Sequence, residues 1–468
     1  MNIILIKTLQ LLLCLSLLIV LHEGGHFGFA KLFKVRVEKF FMFFDYKFHL
    51  FSTRDNWFTR FFPRFKNTET EYGIGWIPLG GYVKIAGMVD ESLDTEQLKQ
   101  PAQADEFRSQ KVWKRFLIMV GGVLMNLITA FVIYCGIMYS QGEDRLPMQN
   151  ITKGFAFNQE AEALGFRDGD IPIRLDDEDI DGWTGRLLQD LCRAHSITVL
   201  RQGGEVSIQM PEDGMNLIDV MYMQPPFMAP ISPALVESVQ PGGAAARAGI
   251  REGSRLLSVD GAEIKYWTDY DSLYLRRQDV LSMNDCTHAD SMRLRKMTVV
   301  FLNPKAEVPD TATLQLDENY MMGIVRHNEL SNYEVVHTDY NLITCIPAGL
   351  EYGWETLVNY IDSFRYVATP QGAKEVGSFI AIGNLFPDSW DWLRFWMLTA
   401  FISIALAVMN ILPIPGLDGG HVVMLIYEAI TGKQPGERVQ LWFEYIGMAL
   451  IIALMLLAFG NDIRRFIL

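Results

Sequence analysis

The sequence IILIKTLQLLLCLSLLIVLHEGGHFGFAKLF, residues 3–33, joins an apolar run long enough to cross a bilayer to three ionisable side chains near its end. His22 and His26 are four residues apart, so on a helix both imidazoles lie on one face and can bind the same metal ion. The carboxylate of Glu23 can take a proton from a metal-bound water. Each such group inside a membrane costs about 3 kcal/mol unless it is paired or metal-bound. The stretch therefore predicts a zinc site within a membrane-spanning helix.

Three further segments, 116–139, 393–415 and 440–460, are apolar and long enough to cross a bilayer. The first span has one basic residue at its start and no small-residue cleavage site, which disfavours a cleaved signal peptide. Half of the 468 residues are hydrophobic, a proportion that leaves room for sizeable domains between the spans. We therefore expect a polytopic α-helical membrane protein with four transmembrane helices.

The distribution of charge predicts the orientation. Residues 31–116 hold 15 Lys and Arg against 11 Asp and Glu, whereas residues 140–392 hold 20 against 38. The positive-inside bias places 31–116 in the cytosol and the acidic segment outside. The whole chain has a net charge of −14 without a basic run, so no nucleic-acid partner is expected.

The outer segment contains an internal repeat at an offset of 84 residues. Gly165-Phe166-Arg167-Asp168-Gly169 aligns with Gly249-Ile250-Arg251-Glu252-Gly253, and Trp183-Thr184 aligns with Trp267-Thr268. A register kept over about twenty residues indicates two copies of one module. The second copy resembles PDZ domains, which capture extended peptides or chain termini by strand addition. A structural β module without a ligand remains the alternative for either copy.

A catalytic zinc needs a third protein ligand and an open position for water. The best candidate is Asp418, which follows Pro413 and Pro415 at the end of the third span. Broken backbone at membrane depth is tolerated where it lines a cavity. His22 and Asp418 both lie near the cytosolic ends of spans that run in the same direction, so they can meet. His421 is a second candidate, as a ligand or as a partner of a ligand.

The motifs His22-Glu23-x-x-His26 and Leu417-Asp418-Gly419, together with PDZ-like modules between the second and third spans, resemble the site-2 protease family of intramembrane zinc metalloproteases. The order of the parts is most similar to the RseP-like branch, the regulators of sigma-E, with tandem PDZ domains. The resemblance implies that Asp418 is the third zinc ligand and that Asn410 either holds the substrate backbone or stabilises the oxyanion. It also implies a membrane-reentrant β-hairpin that aligns substrate as an added strand, through Gly80, Gly81, Tyr82 and Val83.

The resemblance further implies a function and a location. The substrates would be pre-trimmed single-span proteins such as an anti-sigma factor, or remnant signal peptides, cleaved within the membrane. The protein would reside in the bacterial inner membrane, with its PDZ-like domains in the periplasm and its active site near the cytosolic face. An amphipathic helix with Leu350, Trp354 and Leu357 on its apolar stripe would lie on the membrane or pack on a domain.

The sequence therefore predicts a transmembrane helical protein with a membrane-associated β-hairpin or sheet and two extracytoplasmic PDZ-like α+β domains. The predicted divisions are 1–34, the first span with the histidines; 35–115, the cytosolic-side β region; 116–140, the second span; 141–225 and 226–320, the PDZ-like domains; 321–392, the amphipathic-helix region; 393–418, the third span with the aspartate motif; and 438–461, the fourth span.

Two other classes of function compete with the protease. A non-catalytic membrane adaptor would use its PDZ-like modules to hold partners, but it has no use for a buried metal triad. An ion transporter would need buried polar groups along its path, and four spans provide few. The presence of Glu23 together with three metal ligands favours hydrolysis over both.

Overall fold

The computed structural model describes residues 3–78, 80–88, 101–183, 187–221, 223, 225–282, 292–317, 320–326, 333–367 and 377–466. Leu79 of the predicted hairpin and Thr184 of the repeat lie outside these residues, as do parts of the predicted 35–115 and 321–392 regions. The described helices are α1 (Ile3–Leu32), α2 (Asn56–Phe61), α3 (Val112–Gln141), α4 (Gln159–Leu164), α5 (Leu187–Leu191), α6 (Leu217–Met221), α7 (Ala244–Arg247), α8 (Trp267–Ser282), α9 (Cys345–Val367), α10 (Phe379–Leu385), α11 (Trp392–Ile411), α12 (Asp418–Thr431) and α13 (Glu437–Phe466).

The described strands are β1 (Val37–Met42), β2 (Phe44–Ser52), β3 (Glu71–Ile77), β4 (Tyr82–Ile85), β5 (Glu143–Pro147), β6 (Phe155–Phe157), β7 (Ile171–Leu175), β8 (Glu178–Asp179), β9 (Gly182–Trp183), β10 (Ser196–Arg201), β11 (Gly204–Gln209), β12 (Met228–Pro230), β13 (Val236–Val239), β14 (Arg255–Val259), β15 (Ala262–Glu263), β16 (Lys296–Leu302), β17 (Asp310–Gln315), β18 (Ile324–Arg326) and β19 (Val336–Thr338). The chain forms two compact units, one of Met1–Gly142 with Asp339–Leu468 and one of Glu143–Thr338.

Within the described residues, four helices of the first unit are long and apolar enough to cross a membrane: α1, α3, α11 and the Arg438–Arg464 part of α13. They correspond to the four predicted spans. The third is shorter than the predicted 393–415, because it ends at Ile411. Leu412 is extended ahead of Pro413, which has no backbone N–H and disfavours a helical residue before it. The chain resumes as a helix only at Asp418.

A four-stranded sheet follows α1, in the order β2-β3-β1-β4. The β1 and β3 strands are parallel, and β4 runs antiparallel to β1 at the edge of the described sheet. A buried cluster packs this sheet against α1, α3 and α12; its members include Ala30, Val37, Ile85, Ile118 and Leu425. The sheet edge is thereby fixed beside the helices that carry the histidines and Asp418.

The predicted amphipathic helix is α9, and it packs on α3 and α11. Its contact face carries Gly349 and Gly353, where an added Cβ would lie 2.5 Å from the Cα of Cys135 and 2.4 Å from the ring of Phe131. Leu357 is buried in this contact, whereas Trp354 is 61% exposed. The predicted apolar stripe is therefore divided between the helix contact and the outer surface.

The second unit contains two sheets with the same strand topology, β11-β10-β7-β8 and β17-β16-β14-β15. Equivalent residues of the repeat adopt the same backbone conformation: φ is 48° at Asp176 and 49° at Asp260. The carboxylates of these two aspartates accept hydrogen bonds from the backbone N–H groups of Ser196 and Thr298, respectively. The duplication read from the sequence is thus visible in the backbone.

Candidate metal centre

Three side chains from α1 and α12 meet at one point in the first unit. The Nε2 atoms of His22 and His26 lie 3.3 Å and 3.4 Å from Oδ2 of Asp418. The two nitrogens are 3.3 Å from each other, and the ligand atoms of the three residues all lie within 4.8 Å of one another. The structure therefore brings together the three residues that the sequence analysis proposed as ligands.

A hydrogen bond to Nδ1 of His26 leaves its Nε2 atom available to bind a metal. Nδ1 of His26 lies 2.8 Å from the carbonyl oxygen of Ile118, which can only accept, so Nδ1 carries the proton and Nε2 keeps its lone pair. Oδ2 of Asp418 is buried without a hydrogen-bond partner among the described residues. A lone-pair nitrogen and a carboxylate oxygen facing each other form a place where a bound cation would satisfy both. Two imidazoles and one carboxylate are a donor set that fits Zn²⁺.

Asn126 of α3 contacts the other histidine. Its side-chain amide nitrogen lies 3.2 Å from Nδ1 of His22, and its Oδ1 atom is buried without a partner among the described residues. Turning the amide by half a rotation places Oδ1 against Nδ1, where it accepts the imidazole proton. That arrangement satisfies the buried oxygen and leaves Nε2 of His22 free for zinc.

Glycines let the helices approach the metal site. A Cβ atom at Gly122 would lie 2.4 Å from Nε2 of His26 and 2.7 Å from Nε2 of His22. A Cβ atom at Gly25 would lie 2.1 Å from the carbonyl oxygen of Gly121. No side chain therefore fits between α1 and α3 at Gly25 and Gly122. The backbone of Gly122 lies directly against the Nε2 atoms of the two histidines.

One face of α3 contacts both histidines and the helix that carries Asp418. Ile118, Gly122 and Asn126, which touch the histidines, are spaced as one helical stripe, and Arg115 continues it one turn earlier. Arg115 forms a buried ion pair with Glu428 of α12, the helix that starts with Asp418. The side chains of this pair are 7% and 11% exposed. The ion pair therefore fixes the Asp418 helix to the helix that orients His22 and His26.

Replacing Arg115 by Met should leave Glu428 buried without its partner, at a cost of about 3–5 kcal/mol. We expect a lower unfolding temperature and weaker zinc retention during dialysis against a chelator. The double substitution Arg115→Glu with Glu428→Arg should recover most of both losses, whereas either single reversal should not. Arg174→Met, which removes an exposed pair with Asp179, is the matched control and should have little effect. Equal zinc retention in wild type and Arg115→Met would contradict the positioning role.

The proposed substrate-binding residues line the same cavity as the ligands. The cavity has a volume of about 900 Å³, and its wall includes Gly80, Gly81, Tyr82, Val83 and Asn410. The side-chain nitrogen of Asn410 lies 3.5 Å from Nε2 of His22. The hydroxyl of Tyr82 donates to the carboxylate of Asp45, which also pairs with Lys39 at 3.2 Å.

Glu23 is half-buried in the wall of this cavity, next to the two histidines. The backbone N–H of Val83, on edge strand β4, faces its carboxylate. The base proposed from the sequence and the strand proposed to align substrate are thus in direct contact. A peptide lying along β4 would pass beside Glu23.

The sequence analysis missed several residues around the site. Arg115 and Glu428 were not recognised as a pair, and Glu444 of α13, which lines the cavity, was not considered. A carboxylate inside an otherwise apolar span is a signal that could have identified Glu444, because such a group is costly unless it has a function or a partner. No comparable sequence signal pairs Arg115 with Glu428, 313 residues away.

Two histidines and a glutamate on a membrane-crossing helix, with an aspartate brought next to them, are the arrangement expected of a metal-dependent hydrolase held in the bilayer. Peptidase family M50 matches residues 10–454, most of the chain, and the chain belongs to this family. It is a membrane zinc metalloprotease, with Zn²⁺ as its cofactor.

Several curated proteins are similar along nearly their whole length. The regulator of sigma-E protease RseP of Escherichia coli is 26% identical over 483 residues, which cover 97% of each chain. Protease RseP of Yersinia pestis is 25% identical over 481 residues, again 97% of each chain. Metalloprotease MmpA of Caulobacter vibrioides is 26% identical over 483 residues, covering 99% of this chain and 96% of its own. The predicted membership of the site-2 protease family is confirmed.

Proposed function

We propose that this zinc metalloprotease hydrolyses peptide bonds within the transmembrane segment of single-span membrane proteins. One observation carries the proposal: the ligand atoms of His22, His26 and Asp418 lie within 4.8 Å of one another in a cavity among helices able to cross a membrane. A hydrolytic metal placed there acts on a substrate that has entered the bilayer.

We assign the zinc ligands to His22, His26 and Asp418. Bound zinc would polarise the carbonyl group of the scissile peptide bond and would lower the pKa of its bound water to ~7. Glu23 accepts the proton of the attacking water at its carboxylate and then delivers it to the leaving amine. Asn410 holds the substrate near the ligands. The substrate must be extended, because a helical peptide has its carbonyl groups tied up in hydrogen bonds.

The β4 strand is suited to hold such an extended segment. It is the edge strand of the described sheet, with β1 as its one strand neighbour there, and an edge strand can be extended by a further strand. A peptide added as a further strand would satisfy backbone groups of both partners. Gly80, Gly81, Tyr82 and Val83 provide this edge and contact the added strand.

The resemblance to site-2 proteases also suggests the substrates and the location of this protein. We propose that the substrates are pre-trimmed anti-sigma factors or remnant signal peptides, and that the two sheets of the second unit belong to PDZ-like domains. The protein would lie in a bacterial inner membrane with this unit in the periplasm. Its active site would lie near the cytosolic face, where the basic segment 31–116 belongs.

The proposal can be tested with purified protein in vesicles that contain a single-span reporter with a label at each end. We expect products whose new termini, read by mass spectrometry, lie within the apolar segment. Protein with Glu23→Gln in the same vesicles controls for contaminating proteases. Cleavage confined to residues outside the apolar segment would overturn the intramembrane assignment. Binding of the reporter without any cleavage by zinc-loaded protein would favour the adaptor.

A further inference from the structure

A second polar pair lies in the cavity wall beside the metal centre. His421 is three residues after Asp418 in α12, so the two side chains occupy neighbouring positions on one helix face. Nε2 of His421 lies 3.4 Å from Oε1 of Glu444, which belongs to α13. Both residues line the cavity. We call His421 and Glu444 the wall pair.

The two members of the wall pair differ in exposure. The side chain of Glu444 is 7% exposed, whereas that of His421 is 21% exposed. The imidazole is therefore the more accessible of the two groups in the cavity wall. A glutamate at this depth in a membrane-crossing helix is costly without a partner, and fixing the orientation of an imidazole is a recurrent role for such a carboxylate.

The contact with Glu444 influences which nitrogen of His421 carries the proton and which one can accept a hydrogen bond. A carboxylate can only accept, so a neutral imidazole is favoured with its proton on the nitrogen nearer to Glu444, which is Nε2. Nδ1 then has a free lone pair and acts as an acceptor. Nδ1 has no hydrogen-bond partner within the described part of the chain.

An extended substrate inside the membrane needs such acceptors. Each backbone N–H of a strand that is neither paired nor hydrated costs several kcal/mol in an apolar setting. A strand added to β4 is satisfied along one edge only, because its N–H groups point alternately to both sides. Residues of α12 and α13 line the same cavity as β4, so an acceptor on them can serve the other edge.

We propose that Nδ1 of His421, oriented by Glu444, accepts a hydrogen bond from a backbone N–H of the bound substrate. This inference rests on the proposed function. His421 is a substrate-binding residue next to the metal centre, and Glu444 is its positioning residue. His421 is not a zinc ligand in this assignment, since the three ligand atoms that converge belong to His22, His26 and Asp418.

Binding measurements with backbone-modified peptides test the contact directly. The probe is a labelled synthetic single-span peptide with Lys flanks and a central Gly-Ala segment, in which each central amide is replaced in turn by an ester that lacks the N–H. Affinity is measured on zinc-loaded Glu23→Gln protein in lipid nanodiscs, so that no cleavage occurs. At one position the ester should weaken binding about fivefold when His421 is present, and by less than about twofold when His421→Ala is added.

The Glu444→Gln substitution, in the same Glu23→Gln protein, should reduce the ester effect at that position, because the glutamine amide no longer fixes the protonated nitrogen. The conservative His421→Asn should retain part of the ester effect, since its side-chain oxygen is also an acceptor. Zinc content should be unchanged in all these proteins. Loss of zinc in His421→Ala would make His421 a ligand and overturn the proposal, as would an ester series that is identical with and without His421.

The two proposals fail in distinguishable ways. If the unmodified peptide binds but wild-type protein never cleaves it, the proposed function fails. If wild type cleaves it while Glu23→Gln does not, and no ester effect depends on His421, only the wall-pair inference fails.

Discussion

Replacement of Glu23 by Gln is expected to reduce peptide-bond cleavage about 10²–10⁴-fold, the usual contribution of a positioned general base. Glutamine has nearly the same shape as glutamate but cannot accept the water proton. Glu23 lies beside the ligands in the cavity wall and is not one of the three groups whose atoms converge. Zinc content should therefore remain at the wild-type level. Cleavage of a single-span reporter and metal analysis of the same sample provide the two measurements.

The control for this experiment is Glu351→Gln, an exposed glutamate on α9. It makes the same chemical change away from the cavity and should leave cleavage within about twofold of wild type. Cleavage by Glu23→Gln at a wild-type rate would remove Glu23 from the mechanism. Loss of zinc from Glu23→Gln would instead show that this carboxylate contributes to metal binding.

Replacement of Gly122 by Ala should abolish zinc binding and activity together. The added methyl carbon would lie 2.4 Å from Nε2 of His26, far closer than non-bonded atoms approach. The imidazoles must move, and a zinc–nitrogen bond of about 2.0–2.1 Å tolerates little displacement. We expect zinc affinity to fall at least about 10–100-fold, the usual effect of disturbing a ligand's surroundings. Competition with a chromogenic chelator measures this affinity.

Gly136→Ala is the matched control for Gly122→Ala, because it lies on the same helix and its Cβ would meet nothing within 4 Å. It should keep its zinc and gain up to about 1 kcal/mol of helix stability. Asp418→Asn is the positive control, since it weakens the proposed third ligand directly. Wild-type zinc affinity in Gly122→Ala would mean that the metal lies elsewhere.

The parts of the site that are local in sequence could be predicted. His22, Glu23 and His26 lie within one helical turn, and helical spacing alone places both imidazoles together. The sequence evidence for Asp418 is weaker: two prolines predict a break at the end of the third span, and the lengths of the first and third spans place Asp418 at the same depth as His22. Its convergence with the histidines depends on the structure, because 392 residues separate Asp418 from His26.

Features that depend on packing between distant helices were not predicted. The outward exposure of Trp354 follows from Gly349 and Gly353, whose missing side chains make the opposite face of α9 the closer contact. The partnership of Asn126 with His22 required the position of α3. Apolar periodicity identifies a helix, but it does not determine which face meets a neighbour when both faces are apolar.

The backbone contact between α1 and α3 at Gly25 and Gly121 limits how a substrate can travel to the cavity. With an added Cβ already 2.1 Å from the facing carbonyl, the two helices are as close as main chains allow. Lateral passage between them would require breaking this seam together with the His26–Ile118 hydrogen bond. A substrate entering from the lipid must therefore pass another side of the helical bundle. Cysteine pairs that crosslink α1 to α3 at positions away from Gly25, Gly121 and Gly122 should leave turnover intact.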